Sequence, residues 1–434
     1  MNVRITPKKF NGSFKIPASK SHTIRQLLIA SLADGESVIN DPLDSLDTQS
    51  CLSACKKFGA EIDEQRAGER IISWKIKGNN GFYPVACKSS GELPVIDVGN
   101  SGTTLYLALA VAGLQSQVIE FNGDEQIQKR SAKPLLDALT GLGIQCGSNN
   151  GCAPIKIKGT WKGGKVILPC PTSQYLSALL IAAPLAPDGT CTEIEVPLLN
   201  EKPYIDMTLS YLTAHGIPFE TNADYSFFKI KGGSSWKAFS GAVPSDFSSA
   251  AFPAAAAAVT GGEVNLVGLD PLDTQGDKYF FEILKEMGCD VKVNIIEGKQ
   301  AFSVSRKGSL VGGTFDLNKT PDLLPAAAVV AAYAEGDTTL VNVAHARIKE
   351  TDRIAVMAQE LAKLGVCCTE LPDGLIIHGK GGLLKPNGQL INGHGDHRIV
   401  MAFAVAGLGS PVPIEITTAE SASVTYPGFL ELLA

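Results

Sequence analysis

One segment type recurs six times along the 434 residues, and this repetition constrains the fold more than any other feature. Each copy opens on small or polar residues and runs through an apolar, Ala-rich helix. It then turns at Gly or Asp and ends in a β-like run. The copies are SKSHTIRQLLIASLADGESVI from Ser19, GNSGTTLYLALAVAGLQSQVIEF from Gly99, PTSQYLSALLIAAPLAPDGTCTEIEV from Pro171, SDFSSAAFPAAAAAVTGGEVNLV from Ser245, TPDLLPAAAVVAAYAEGDTTLVNV from Thr320 and GDHRIVMAFAVAGLGSPVPIEI from Gly395. With Ser21, Ser101, Thr172, Asp246, Asp322 and Asp396 as markers, the steps are 80, 71, 74, 76 and 74 residues.

A second segment type alternates with the first: DTQSCLSACKKFGAEID, KPLLDALTGLGIQC, YIDMTLSYLTAHGIPFE, KYFFEILKEMGCDVKV and TDRIAVMAQELAKLGVCCTEL, with YPGFLELLA as a truncated sixth copy. Each full copy spaces its apolar residues at i, i+3 and i+4 and stops near a Gly, the signature of an amphipathic surface helix. The first helix type is apolar nearly all round and is expected to be buried between sheets. A unit thus reads β-α-β-α-β-β. Six units exceed one core, so two domains of three units are expected, with boundaries near Ser19 and Pro244 where Gly, Pro and Ser interrupt the pattern.

The starts of the buried helices carry Ser19 and Ser21, Asn100, Ser101 and Thr103, Thr172 and Ser173, Asp246 and Ser248, Asp322, and Asp396 with His397. Such residues cap helices. Cations lie beside several of them: Lys20 and Arg25 at the first start, Arg398 after Asp396, and Lys349 and Arg353 in IKETDR. Formal charge is −6, from 38 Lys and Arg against 44 Asp and Glu. An acidic chain is not a general nucleic-acid or anionic-membrane binder. Cations placed at helix N-termini instead indicate discrete phosphate or carboxylate sites.

Other signals are weak. MNVRITPKKFNG lacks an apolar core, so no signal peptide is read, no spanning helix is seen, and a cytoplasmic location is expected. The Cys pairs at 51/55 and 367/368 fit reduced, buried side chains. GTWKGGKV begins like a phosphate loop, but Val166 stands where Ser or Thr would ligate Mg²⁺, and VILPC continues as strand. His394 and His397 lack companions for a metal site, and no metal is expected.

PASKSHTIR, DVGNSGTTLY, GDEQIQKRSAKP, PTSQYLSALLIAAPLA, NEKPYIDMTL, SDFSSAAF, TPDLLPAAAVVAA, RIKETDR and GDHRIVMA, in this order, resemble the signature segments of the 5-enolpyruvylshikimate-3-phosphate synthase family, the 3-phosphoshikimate 1-carboxyvinyltransferases. The resemblance spans nearly the whole chain. It implies an α/β fold of two inside-out α/β barrel domains, each of three βαβαββ repeats with buried parallel helices. One domain would comprise residues 1–19 and 244–434 and the other residues 20–243, with the active site in the interdomain cleft. It also implies transfer of the enolpyruvyl group of phosphoenolpyruvate to the 5-hydroxyl of shikimate 3-phosphate, with release of phosphate. No cofactor and a monomeric state are expected.

The resemblance further assigns roles residue by residue. Lys20 would touch both substrates and donate a proton. Ser21 and Arg25 would hold the shikimate hydroxyls and carboxylate. Thr172, Ser173 and Gln174 would take the 3-phosphate and ring, with Gln174 also reaching phosphoenolpyruvate and Tyr204 on the ring face. Asp322 would be the base for the 5-hydroxyl, with His345 and Lys349 beside the shikimate. Glu350 would move the proton at the methylene. Arg130, Arg353 and Arg398 would clamp phosphoenolpyruvate in a pocket lined by Gly102 and Thr103.

The chain departs from the family pattern at four positions. Tyr106 stands where an Arg is usual, Glu201 where a phosphate-donating Ser is usual, Val424 where a Lys is usual, and His345 where Asn is common. A carboxylate facing a phosphate repels it, so Glu201 is expected to point elsewhere, or the match to the family pattern slips by one residue here. Two other readings compete. Enolpyruvyl transfer to UDP-N-acetylglucosamine is opposed by SKS-x3-R, by TSQ and by the lack of a reactive Cys loop. A non-catalytic ligand-binding homologue draws on Tyr106, Glu201 and Val424, and is opposed by Lys20, Asp322, Glu350, Arg353 and Arg398.

Overall fold

The computed structural model describes residues 1–81 and 93–433. The chain forms two compact units, Met1–Ser19 with Pro244–Ala434, and Lys20–Val243. The second unit holds helices α1 (Lys20–Leu32), α2 (Leu46–Lys57), α3 (Gly102–Ala112), α4 (Lys133–Gly141), α5 (Gln174–Ala182) and α6 (Lys202–Ala214). The first holds α7 (Phe247–Thr260), α8 (Tyr279–Glu286), α9 (Leu324–Ala332), α10 (Arg353–Lys363), α11 (His397–Gly409) and α12 (Phe429–Leu432).

Each unit is built inside out. The Ala-rich helices are buried on every side: all of α3, all of α9, and Phe247–Val259 of α7. In one unit α3 packs on α5, and in the other α7, α9 and α11 pack on one another. Small side chains let these helices approach closely with no polar face to hide. The sheets wrap outside, with strands showing period-2 burial: Arg70–Lys77 and Cys152–Lys158 alternate between core and solvent. The amphipathic helices bury one stripe each, for example Phe280, Phe281, Ile283 and Leu284 of α8.

In Lys20–Val243 three four-stranded sheets repeat one topology. Val95–Asp97 pairs parallel with Ile119–Asn122 across α3, and the sheet then continues antiparallel through Cys152–Lys158 to Gln145–Asn149. Gly164–Ile167 and Cys191–Glu195 do the same across α5. The sheet that contains Glu36–Asn40, the strand after α1, takes its parallel edge from Ser240–Ala242, at the far end of the unit. Reciprocally, Gly12–Lys15 pairs with Glu263–Val267, the strand after α7. The two connecting segments run side by side, with Ser19 N–H donating to Pro244 O (2.8 Å) and Asp246 N–H to Pro17 O (2.8 Å). The last repeat is reduced: Ile414–Ile416 pairs antiparallel with Val3–Ile5 from the chain start and is followed by the 3₁₀ helix Ala419–Val424 and the four-residue α12.

Where a closing strand passes the end of a buried helix, four repeats carry Gly. A Cβ would lie 2.3 Å from Ala33 O at Gly78, 1.8 Å from Gly113 O at Gly159, 2.6 Å from Ala186 O at Gly232, and 2.4 Å from Ala334 O at Gly379. No Cβ fits at such distances, so these glycines set the approach of sheet to helix. The phosphate-loop-like stretch is indeed loop and then strand, Gly164–Ile167. Cys51 and Cys55 are buried free thiols, whereas Cys367 is exposed, contrary to expectation: it opens the strand Cys367–Leu371, none of whose residues is fully buried.

Candidate active site

The two units gather two separate sets of functional groups. In the first unit a buried ion network centres on Arg353, at the start of α10 and fully buried. Its Nε donates to Asp396 Oδ2 (2.8 Å), Nη1 to Asp322 Oδ1 (2.8 Å), and Nη2 to Glu350 Oε2 (2.5 Å) and Asp396 Oδ1 (3.1 Å). Arg398, in the first turn of α11, donates from Nη2 to the other oxygen of Asp322 (2.8 Å). Burial works against the charge of Arg353. Asp396, Glu350 and Asp322 overcome that and hold it above its ordinary value. Burial likewise raises Asp396, but Arg353 outweighs it and keeps this carboxyl below the usual range.

Asp322 is not a helix cap. It sits in the 3₁₀ turn Pro321–Leu323 ahead of α9, and the capping position, Leu323, makes no side-chain cap. Its carboxylate faces the two arginines instead. Asp246, Asp396 and Ser101 do cap, accepting from Ser249 N, Arg398 N and Thr104 N. Asp396 therefore both caps α11 and anchors the network. Asp277 adds a further buried carboxyl, hydrogen-bonded by the Ser248 hydroxyl. Burial first, then the charge of Asp322, push it up to about 7 against the pull of Arg398. Sequence reasoning missed Asp277, because the 3₁₀ turn Gly276–Lys278 that carries it has no periodic signal. His345 is buried in the turn Ala344–Ile348, and Lys349 follows it, partly buried.

In the second unit α1 places two cations. Lys20 Nζ pairs with Asp47 Oδ2 (3.1 Å), a carboxylate in the first turn of α2 that the sequence analysis also missed. Arg25 is buried, and its guanidinium donates to Thr208 Oγ1 (3.0 Å), Ser177 Oγ (3.1 Å), Ser21 O (3.2 Å) and Tyr204 O (3.3 Å). Ser21, Arg25 and Tyr204 are thus brought together. Burial pulls Arg25 down to about 10, leaving it charged at neutral pH. At α3, a Cβ on Gly102 would lie 2.8 Å from Arg130 Nη1, so the glycine leaves room for that guanidinium to come this close to the helix start. Thr103 is buried beside it in the same turn. Tyr106 packs edge-on against Tyr175, ring centroids 5.0 Å apart, and so replaces a cation by an aromatic wall.

The expectation that Glu201 points elsewhere is not met. Its buried carboxylate does not point away. Oε2 accepts from Thr172 Oγ1 (3.1 Å), Ser173 N–H (3.0 Å) and Ser173 Oγ (2.9 Å), at the start of α5. Buried donors need an acceptor, and Glu201 supplies one. Gln174 opens α5 next to this group.

Guanidiniums, an ammonium, carboxylates and helix starts collected in this way are the equipment of an enzyme acting on small anionic molecules. The family description EPSP synthase (3-phosphoshikimate 1-carboxyvinyltransferase) matches residues 5–433. A 3-phosphoshikimate 1-carboxyvinyltransferase of Acetivibrio thermocellus is 45% identical, covering 100% of this chain and 98% of the relative. One of Nitrosopumilus maritimus is 39% identical, covering 99% and 97%. The solved structure of an EPSP synthase from Acinetobacter baumannii is 31% identical with a TM-score of 0.79, covering 99% of this chain and 97% of that one. The chain belongs to the EPSP synthase family, and its two-domain inside-out α/β fold and its enolpyruvyl transfer in the shikimate pathway are those of that family. Among the described residues no helix is long and apolar enough to cross a membrane.

Proposed function

We propose that the two sets of groups face one cleft between the domains and divide the reaction between them. The second unit takes shikimate 3-phosphate. Thr172, Ser173 and Gln174 meet the 3-phosphate and ring, Arg25 with Ser21 the carboxylate and hydroxyls, and Tyr204 the ring face. His345 and Lys349 of the first unit complete that site. Gly102, Thr103, Arg130, Lys20 and Gln174, with Arg353 and Arg398, hold phosphoenolpyruvate.

The chemistry is an addition followed by an elimination. Asp322 accepts the proton of the 5-hydroxyl as its oxygen bonds to C2 of phosphoenolpyruvate, while Lys20 or Glu350 delivers a proton to C3. Glu350 then takes a proton from C3 as the C2–O bond to phosphate breaks, which restores the C2=C3 double bond, now as an enol ether, and releases inorganic phosphate. Arg398 and Arg353, held at Asp322, stabilise the negative charge on the leaving phosphate. The observation that carries this reading is Arg353 binding Asp322 and Glu350 at once, which fixes base and proton carrier in one frame. The protein acts as a monomer in the cytoplasm.

The test is phosphate release with shikimate 3-phosphate and phosphoenolpyruvate, run beside UDP-N-acetylglucosamine as acceptor. Turnover with shikimate 3-phosphate alone is expected. Turnover with neither acceptor, or only with the nucleotide sugar, would falsify the reading.

A further inference from the structure

Glu201 departs from the family pattern and lies in the middle of the proposed 3-phosphate seat. One carboxylate oxygen collects three donors: two hydroxyls and a backbone N–H. The same donor set suits a phosphate oxygen. The backbone supports this aim. Glu201 occupies the capping position of α6 at φ 58°, a left-handed conformation uncommon for a residue with a side chain, and makes no cap to its own helix. Its neighbour Lys202 turns off toward Asp224 O (3.0 Å) and does not serve the seat. The strained turn thus sends the carboxylate across to α5. Arg25, four bonds deep in hydroxyls and carbonyls, lies near enough for Glu201 to support its charge.

We propose that Glu201 is a built-in occupant of the 3-phosphate seat, and that the acceptor's phosphate binds by displacing it. The inference rests on the reading of Thr172 and Ser173 as phosphate ligands. Its physical basis is an exchange of anions. A phosphate near −2 cannot share a buried seat with a carboxylate, because two like charges a few ångströms apart repel strongly. In the free protein Glu201 satisfies the donors, so they are not left unpaired when phosphate is absent. The phosphate therefore gains only the difference between two anions. Glu201 lowers the discrimination between shikimate 3-phosphate and shikimate, and it sets how tightly the acceptor is held.

The experiment uses the full chain and three forms: wild type, Glu201→Ser and Glu201→Gln. Calorimetric Kd values are measured for shikimate 3-phosphate, shikimate and inorganic phosphate, and KM and kcat by phosphate release. In Glu201→Ser the Kd for shikimate 3-phosphate is expected to fall about tenfold or more, while that for shikimate stays within about threefold. Inorganic phosphate binds measurably tighter, and KM for phosphoenolpyruvate is unmoved. Glu201→Gln keeps the size and an acceptor oxygen but loses the charge, so it lies between the two. A structural cap would behave differently, with a lower melting temperature and unchanged or weaker acceptor binding. That pattern overturns the proposal, as does an unchanged ratio of the two Kd values in Glu201→Gln should Glu201→Ser fail to fold. If wild type and both variants release no phosphate at all, the functional reading falls and the proposal with it. If turnover is intact and the ratio unchanged, only the proposal falls.

Discussion

Asp322 carries an arginine on each carboxylate oxygen, Arg353 on one and Arg398 on the other. Such pairing fixes the orientation of the carboxylate. Asp322→Ala is expected to lose turnover by a factor of about 10²–10⁴, with the Kd for shikimate 3-phosphate changed only a few-fold. Calorimetry beside the phosphate assay checks both halves, and turnover near wild type would remove Asp322 from the base role. Asp277 invites a second experiment. Its folded pKa, about 7, lies above the ordinary 3.8. The folded state therefore binds this proton more tightly, and the resulting stabilisation is full below about 4 and lost as pH rises through about 7. In urea titrations between pH 5 and 8, Asp277→Asn is expected to flatten the decline seen in wild type. Parallel curves for the two proteins would contradict the assignment. Residues of this kind were partly legible. RIKETDR and DHR announced Arg353, Asp396 and Arg398. Asp277 and Asp47 were not legible, because a single carboxyl in a turn or first helical turn resembles any cap until its partner is placed opposite.

The repeat itself has a device for docking sheet on helix. Ile76-Lys77-Gly78, Ile157-Lys158-Gly159 and Ile230-Lys231-Gly232 are three copies of one tripeptide. In each the Ile is buried, the Lys faces outward, and the Gly passes beneath a helix-end carbonyl. In the α7 repeat Arg306 follows the corresponding strand, Lys299–Ser305, and its Nη2 donates to Val259 O (3.4 Å). Gly159→Ala is expected to destabilise the protein by at least ~2 kcal/mol, since backbone must move to admit the methyl. Chemical denaturation checks this, and a cost within ~0.5 kcal/mol would show that the strand shifts freely. The helix types were plain in the sequence because apolar periodicity separates an all-round apolar helix from an amphipathic one. The missing cap at α9 was not plain, because Asp before a helix reads alike whether it serves backbone N–H groups or a distant arginine.

At the scale of the molecule, each unit closes one sheet with a strand distant in sequence: Ser240–Ala242, from the far end of its own unit, beside Glu36–Asn40, and Gly12–Lys15, from the chain start, beside Glu263–Val267. The proposed reaction needs groups from both units. Shikimate 3-phosphate and phosphoenolpyruvate together are therefore expected to reduce the radius of gyration in solution scattering. They are also expected to slow amide exchange at the starts of both α5 and α11. Protection confined to one unit would argue against a shared cleft. The sequence by itself determined the sixfold repeat, the two helix types, the inside-out class and the family, because these depend on periodicity and on local order along the chain. Only the tertiary structure decided which carboxylates meet Arg353, that Asp322 faces arginines, and that Glu201 turns into the seat at α5. Apart from Glu350, three positions from Arg353, those contacts join residues 28 to 76 positions apart, and no local pattern encodes which buried charge will find which partner.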